Sequence, residues 1–338
     1  MTRYVTRRVA LALLVVVGVV ILTFVIARVV PGDPAASWAG PHASRHEIRL
    51  VRHQLGLDLP VPEQIVRYFG GIVRGDWGTS IHTHQSVLSD LGHRVPPSIE
   101  LVLVALVIAL LFGVPLGLIS ARWNGRAPDW LVRVGAVIGV CMPAFWLALI
   151  LQLVFFQRLH LLPVAGQYDP NLDYTHPLTQ YTHMVVVDAL ITGNWAVLAS
   201  ALWHLILPAV VIAVYPLAVI TRMVRASVLD TLGEDHVRMI RSLGFSERSV
   251  FGRFVMKVAW NPVVAVLALV FAYSLVNTFL VEAVFDWPGL GSYAADSITS
   301  LDTPAIVGIT LFIGIVYVLA NLVVDLVQAA LDPRIRLR

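Results

Sequence analysis

Long apolar blocks alternate with polar connecting segments along this chain. The blocks cover residues 9–29, 99–120, 131–156, 206–224, 258–281 and 304–331. Each approaches or exceeds the roughly 20 helical residues that cross a bilayer's hydrocarbon core. Inside hydrocarbon every backbone N–H and C=O must be paired within its own segment, so the blocks are expected to be helices. The pattern predicts an all-α polytopic membrane protein with six transmembrane helices. Between them lie two long polar segments, 31–97 and 158–204, and a basic one, 225–257. Composition agrees: 58% of the residues are hydrophobic and 13% charged, too few charges to cover a soluble domain of this length.

Residues 185–202 are apolar enough to suggest a seventh span, but Asp188, Gly193 and Asn194 interrupt them. Charge decides against it. Arg3, Arg7 and Arg8 precede the first block; Arg122, Arg126 and Arg133 follow the second. Arg225, Arg238, Arg241, Arg248, Arg253 and Lys257 follow the fourth, and Arg334, Arg336 and Arg338 end the chain. Six spans put all four clusters on the cytoplasmic side, with both termini inside. The loop after the fifth block carries Glu282, Asp286, Asp296 and Asp302 and no Lys or Arg. Residues 185–202 are therefore expected to form an interfacial or extracytoplasmic helix. The first block is too long for a signal-peptide core, and the single cysteine, Cys141, cannot form an internal disulfide.

Catalytic chemistry is hard to find. A phosphate-cradling loop ends in Lys-Ser or Lys-Thr, and the only lysine, Lys257, precedes Val258. ATP-driven work must come from another polypeptide, and no cofactor, metal or nucleic acid is expected. Asp325, with Asn321 one turn before it, is the clearest ionisable residue inside a block. Packing or capping is one reading of it and proton relay another. His42, His46, His53, His82, His84 and His93 share the first long loop; metal binding is the alternative to simple exposure. Gly113-x-x-x-Gly117 and Gly135-x-x-x-Gly139 permit close helix approach. Pro143, Pro208 and Pro216 should bend their helices.

The basic segment carries the most specific pattern. Acids at Glu234 and Asp235 precede Val237, Ile240 and Leu243 at threefold spacing, with Arg238 and Arg241 on another face. Negative charge suits a helix start. Gly244 fits a C-terminal stop, and Ser246 fits the N-cap of a second helix from Glu247. So short a helix needs support from its own bundle and a partner; lying on anionic lipid is the alternative.

Leu243-Gly244, then Ser246-Glu247-Arg248 and Asn261-Pro262, resemble the EAA loop of bacterial ABC importer permeases of the dipeptide/oligopeptide family. Met239-Ile240 stand where that loop usually has Thr-Ala or Ala-Ala. The similarity extends in order along the chain. It includes Pro31-Gly32-Asp33-Pro34, Leu55-Gly56-Leu57-Asp58, Gly75-Asp76-Trp77-Gly78, Pro143-Ala144-Phe145-Trp146 and residues 161–166. It continues through residues 282–291, Asn321 to Asp325, and Leu331-Asp332-Pro333. The large loop after the first span resembles the first of that family's two paired permeases.

The resemblance implies a type I importer permease fold in the bacterial plasma membrane. Its partners would be a homologous second permease, two ABC ATPases, an extracytoplasmic substrate-binding protein and the surrounding lipid bilayer. Residues 1–30 would be the first span, 31–97 an extracytoplasmic segment, and 98–338 a five-helix core with the cytoplasmic loop 225–257. Glu234 to Gly244 would be the coupling helix, with Val237, Ile240, Leu243 and Gly244 docking on an ATPase and Arg238 and Arg241 pairing with its carboxylates. Trp287, Pro288, Gly289 and Gly291 would shape an outer gate, or simply reverse the chain. Peptides are the leading cargo; glutathione and nickel or other metal complexes are the family's alternatives. A stand-alone secondary transporter, the reading from a different class, would need mid-span charges and inverted repeats. Gly244→Pro is expected to leave assembly intact but uncouple ATP hydrolysis from uptake in reconstituted vesicles; normal uptake removes the coupling assignment.

Overall fold

A computed structural model describes residues 2–29, 33–40, 42–54 and 56–331. The basic tail at Arg334, Arg336 and Arg338, the Asp332-Pro333 step, Pro31-Gly32 and Leu55 lie outside the described residues. In chain order the helices are α1 (Thr2–Val29), α2 (Pro34–Ala39), α3 (Arg45–Gln54), α4 (Val61–Arg74), α5 (Val87–Arg122) and α6 (Ala127–Cys141). Next come α7 (Ala144–Leu151), prolonged by the π-helical turn Gln152–Arg158, α8 (Leu172–Thr175), α9 (Val185–Thr192) and α10 (Trp195–Gly233). The chain continues as α11 (Asp235–Ser242), α12 (Glu247–Ser249) with the π-helical turn Val250–Val255, α13 (Met256–Val284), α14 (Leu290–Thr299) and α15 (Thr303–Leu331). No strand occurs among the described residues beyond one isolated bridge, Thr79 to Ser86.

Among the described residues, five helices are long and apolar enough to cross a membrane: α1, α5, α10, α13 and α15. The expected third span, 131–156, is instead a pair, α6 and α7, bent by 101°. Pro143 causes the break. It has no N–H to give the carbonyl one turn back, and it forces Met142 into an extended conformation at φ −75° and ψ 127°. The pair still joins opposite ends of the bundle. At one end Asp129 of α6 binds Arg225; at the other the Gln152 Nε2 donates to the Val284 carbonyl closing α13. It is a broken span, which makes six crossings.

Other boundaries also move. The second span begins at Val87, inside the expected polar segment, because Ser86 caps the helix by accepting from the Ser89 amide. α10 runs unbroken through Pro208 and Pro216. The single helix expected over 185–202 is two: Gly193, left-handed at φ +67°, ends α9, and the Asn194 side chain caps α10 by accepting from the Val197 amide. The second half of that stretch is the start of the fourth span.

α5 and α10 run parallel and form the centre. Leu101, Ala105 and Ala109 of α5 pack on Leu205, Ala209 and Ile212 of α10 in one buried cluster. Further along, a Cβ on Gly117 would stand 2.7 Å from Val224 Cβ and 2.8 Å from the Thr221 carbonyl. At Gly113 the Thr221 hydroxyl donates to the glycine carbonyl at 3.2 Å. One end is tied by Asp129, which accepts from Ser120 Oγ (2.5 Å), Arg225 Nε (2.8 Å) and the Gly125 amide (2.9 Å). α1 lies against α15 in the opposite direction, with Gly314 meeting Val19 and Arg8 pairing with Asp325 at 2.9 Å. The ion pair gives Asp325 a structural partner.

Gly117→Ala is expected to destabilise the bundle by about 1–3 kcal/mol through overpacking. Gly135, with nothing within 4 Å of a Cβ, should accept alanine without loss. Thermal unfolding of the detergent-purified protein distinguishes the two.

Candidate functional site

α11 sits where the sequence places the coupling helix, and its two faces have different fates. Val237 is fully buried, and half-buried Ile240 packs on the same cluster, which includes Val228, Val250 and Val255. Both side chains anchor the helix to its own bundle, so Val237 has no surface left for a partner. The exposed apolar residues are Met239 and Leu243, each 64% exposed, and Phe245, whose ring meets Phe254 edge-on at 5.6 Å. A threefold repeat drifts by about 60° per step around a helix of 3.6 residues per turn, which carries Leu243 away from Val237's face. Met239 and Phe245, exposed beside Leu243, do not share that repeat.

The charges are also used locally. Glu234, in an extended conformation ahead of α11, pairs with His236 at 2.9 Å. Arg238 lies 3.4 Å from Asp235. Arg241 forks onto Glu247, with Nε to Oε1 at 2.9 Å and Nη2 to Oε2 at 3.2 Å. That fork spans Gly244, which is left-handed at φ +80° and donates its amide to the Arg241 carbonyl. Ser246 caps α12 as expected. The turn is thus closed by a glycine that tolerates the conformation and braced from both sides.

At the opposite end, the Trp287 to Gly291 turn is built around a buried carboxylate. Glu282 is fully buried at the end of α13. Its Oε1 accepts from Ser98 Oγ of α5 at 2.6 Å and its Oε2 from the Gly291 amide at 2.6 Å. The Leu290 amide donates to Ser98 Oγ at 2.7 Å, and buried Trp287 donates its Nε1 to the Pro97 carbonyl at 3.1 Å. A Cβ on Gly289 would collide with the Glu282 carboxylate, and one on Gly291 with the backbone of Phe279. These glycines are required for room. Pro288 is half-buried between Trp287 and Gly289.

Two more acids extend the tie. Asp90 accepts from the Tyr293 hydroxyl at 2.9 Å and from Thr83 Oγ1 at 2.6 Å. Burial and this carboxylate push the Tyr293 phenol upward. Asp302 accepts from Ser80 Oγ, the His82 amide and the Ala305 amide. So Glu282 and Asp302, read from the sequence as loop acids, are buried hydrogen-bond acceptors. The histidines do not converge: no group of three metal-ligating side chains forms among the described residues. His53 pairs with Asp58, holding that carboxylate below its usual range, and the His84 ring lies edge-on to Trp38.

Six crossings, with a short braced helix at one end and a braced turn at the other, make this a polytopic membrane protein. The comparisons give its family. Residues 113–337 match the model of the binding-protein-dependent transport system inner membrane component, and residues 1–102 match that of the N-terminal part of such membrane components. The chain belongs to this family of ABC importer permeases. It is 42% identical over 322 residues, 95% of this chain and 94% of the other, to the probable D,D-dipeptide transport system permease protein DdpB of Escherichia coli (strain K12). It is 34% identical to the dipeptide transport system permease protein DppB of the same strain, covering 99% of each chain. It is also 34% identical, over 99% of each chain, to the glutathione transport system permease protein GsiC of Salmonella paratyphi A (strain ATCC 9150 / SARB42).

Ser98→Ala removes both Glu282's donor and the acceptor of the Leu290 amide in a buried site. A loss of about 1–3 kcal/mol is expected, read as a lowered thermal midpoint, with exposed Asp296→Ala within about 0.5 kcal/mol of wild type.

Proposed function

We propose that this chain forms half of the translocation path of an ATP-driven importer of short peptides. Its partners are a homologous second permease, two ATPases and an extracytoplasmic substrate-binding protein. The observation that carries the reading is the likeness, over nearly the whole chain, to permeases named for dipeptides, D,D-dipeptides and glutathione, itself a tripeptide. The basic clusters support an orientation with both termini and α11 in the cytoplasm, which sets the Glu282 turn facing the binding protein.

In this reading α11 is the lever. Val237 and Ile240 hold it to the bundle, Gly244 and the Arg241–Glu247 fork fix its angle, and Met239, Leu243 and Phe245 dock on the ATPase. Closure of the ATPase dimer on ATP would draw the two levers together and rock the spans. Glu234 and Arg238, exposed beside this face, would meet the rim of the same groove. Glu282 and Ser98 would make α5, α13 and α14 move as one body, so that the Trp287 to Gly291 turn acts as a rigid edge of the outer gate.

Purification of the tagged chain from its own membrane in mild detergent is expected to bring a second permease and P-loop ATPases. The double variant Leu243→Asp, Phe245→Asp should keep the second permease and lose the ATPases. Recovery of the wild-type chain alone, under conditions that preserve other such complexes, overturns the reading.

A further inference from the structure

The break between α6 and α7 leaves polar groups without partners at one place. The Pro143 turn separates the helices, and the amides of Ala144 and Phe145, at the start of α7, have no acceptor among the described residues. The first amides of a helix carry partial positive charge and attract anions. A second observation points to the same spot. Ser274 of α13 is 3% exposed, and its Oγ has no hydrogen-bond partner among the described residues. A buried hydroxyl without a partner is costly, so its place in a membrane helix calls for an occupant.

Ala144 and Ser274 line one cavity of about 140 Å³. Tyr215, Tyr273 and Asn277 line it too, the two rings 4.5 Å apart. Tyr273 and Asn277 are exposed, so the cavity opens on that side. An exposed asparagine in a span is unsuited to lipid and suits a polar path or a neighbouring subunit. Gly139 also belongs to the wall; a Cβ there would stand 2.8 Å from Val214 Cγ1, so the glycine lets α6 close against α10.

The same faces of α6 and α10 continue to the end that carries Asp129. There Arg133, Val137, Arg222 and Arg225 line a second cavity of about 460 Å³. Arg225 is engaged by Asp129, whereas Arg133 and Arg222 have no ion-pair or hydrogen-bond partner among the described residues. Positions 211, 215, 222 and 225 lie on one stripe of α10. The stripe leads from a neutral, donor-bearing chamber to a cationic mouth.

Resting on the peptide-importer reading, we propose that the chamber at the Pro143 break binds the terminal carboxylate of a peptide in transit. The Ser274 hydroxyl and the Ala144 amide donate to it. The volume exceeds that of one water, whose share of the liquid is about 30 Å³, and suits a carboxylate with its adjoining carbon. The remainder of the peptide would lie towards Tyr273 and Asn277. Arg222 and Arg133 would then draw the same carboxylate onward. The anion is neutralised by hydrogen bonds rather than by a fixed cation, so it is held without being trapped.

The test uses the whole complex in nanodiscs, with Cys141→Ser and Ser274→Cys in this chain. A small anionic methanethiosulfonate should label position 274 faster than a cationic one. Dialanine at millimolar concentration should slow that labelling about tenfold relative to dialanine amide, the discrimination of one charge-assisted contact. No labelling, no protection, or equal protection by the amide overturns the inference. ATP-dependent dialanine uptake by the unmodified complex is measured in parallel. If uptake occurs but protection does not, this inference alone fails; if no peptide is taken up, the peptide reading fails and takes the inference with it.

Discussion

Backbone polar groups in hydrocarbon have no water to turn to, and most of this architecture follows from that constraint. Long helices such as α5 and α10 satisfy most of it internally, apart from the positions facing their prolines. Where the chain departs from a helix, side chains supply what the backbone lacks: Glu282 takes the Gly291 amide, Ser98 takes the Leu290 amide, and Asn194 takes the Val197 amide. The Pro143 break is the exception among these, with Ala144, at the start of α7, lining a cavity. An uncompensated break is tolerable only where it is buried in protein or lines a polar space. The structural irregularity and the proposed path therefore coincide for one reason.

The same constraint separates what the sequence made legible from what it did not. Apolar blocks located the six crossings because hydropathy reports how well a segment suits the bilayer's hydrocarbon core. Helix ends were less visible, because a capping side chain defines them: Ser86 starts α5 well before the apolar block, and Asn194 starts α10 in the middle of what read as one helix. Pro143 was legible as a bend but not as a sharp break. Pro208 and Pro216, equally visible in the sequence, sit inside an unbroken helix. A proline removes the same hydrogen bond in each case, and only tertiary packing decides whether the helix survives it.

Long-range pairings were the least legible. Asp129 with Arg225, Arg8 with Asp325 and Glu282 with Ser98 join residues far apart in the chain, and a single sequence carries no signal of such distance. The acids at and beyond the end of α13 show the consequence. Their charge pattern identified a loop poor in cations, yet Glu282 and Asp302 are buried acceptors at the joints of α5, α14 and α15. Charge counted along a chain says which side of a membrane a loop prefers; it does not say whether a given carboxylate meets water.

The coupling loop tests how far periodicity can be taken. A short amphipathic helix was expected to dock with its apolar stripe, but in the proposed coupling role it needs two attachments, to its own bundle and to a partner. A lever that touched only its partner would pivot freely on its own bundle and transmit no force. The structure divides the residues instead: Val237 and Ile240 face inward, Met239 and Leu243 face outward, and Arg241 locks across Gly244 to Glu247. The division follows from helix geometry, since residues three apart rotate progressively from one face to the next. Met239, which departs from the usual small residue of such loops, then enlarges the outward face. In the proposed coupling role, its flexible thioether would fit a surface shaped for a smaller neighbour, so this departure from the family pattern would alter the seat on the partner without altering the lever.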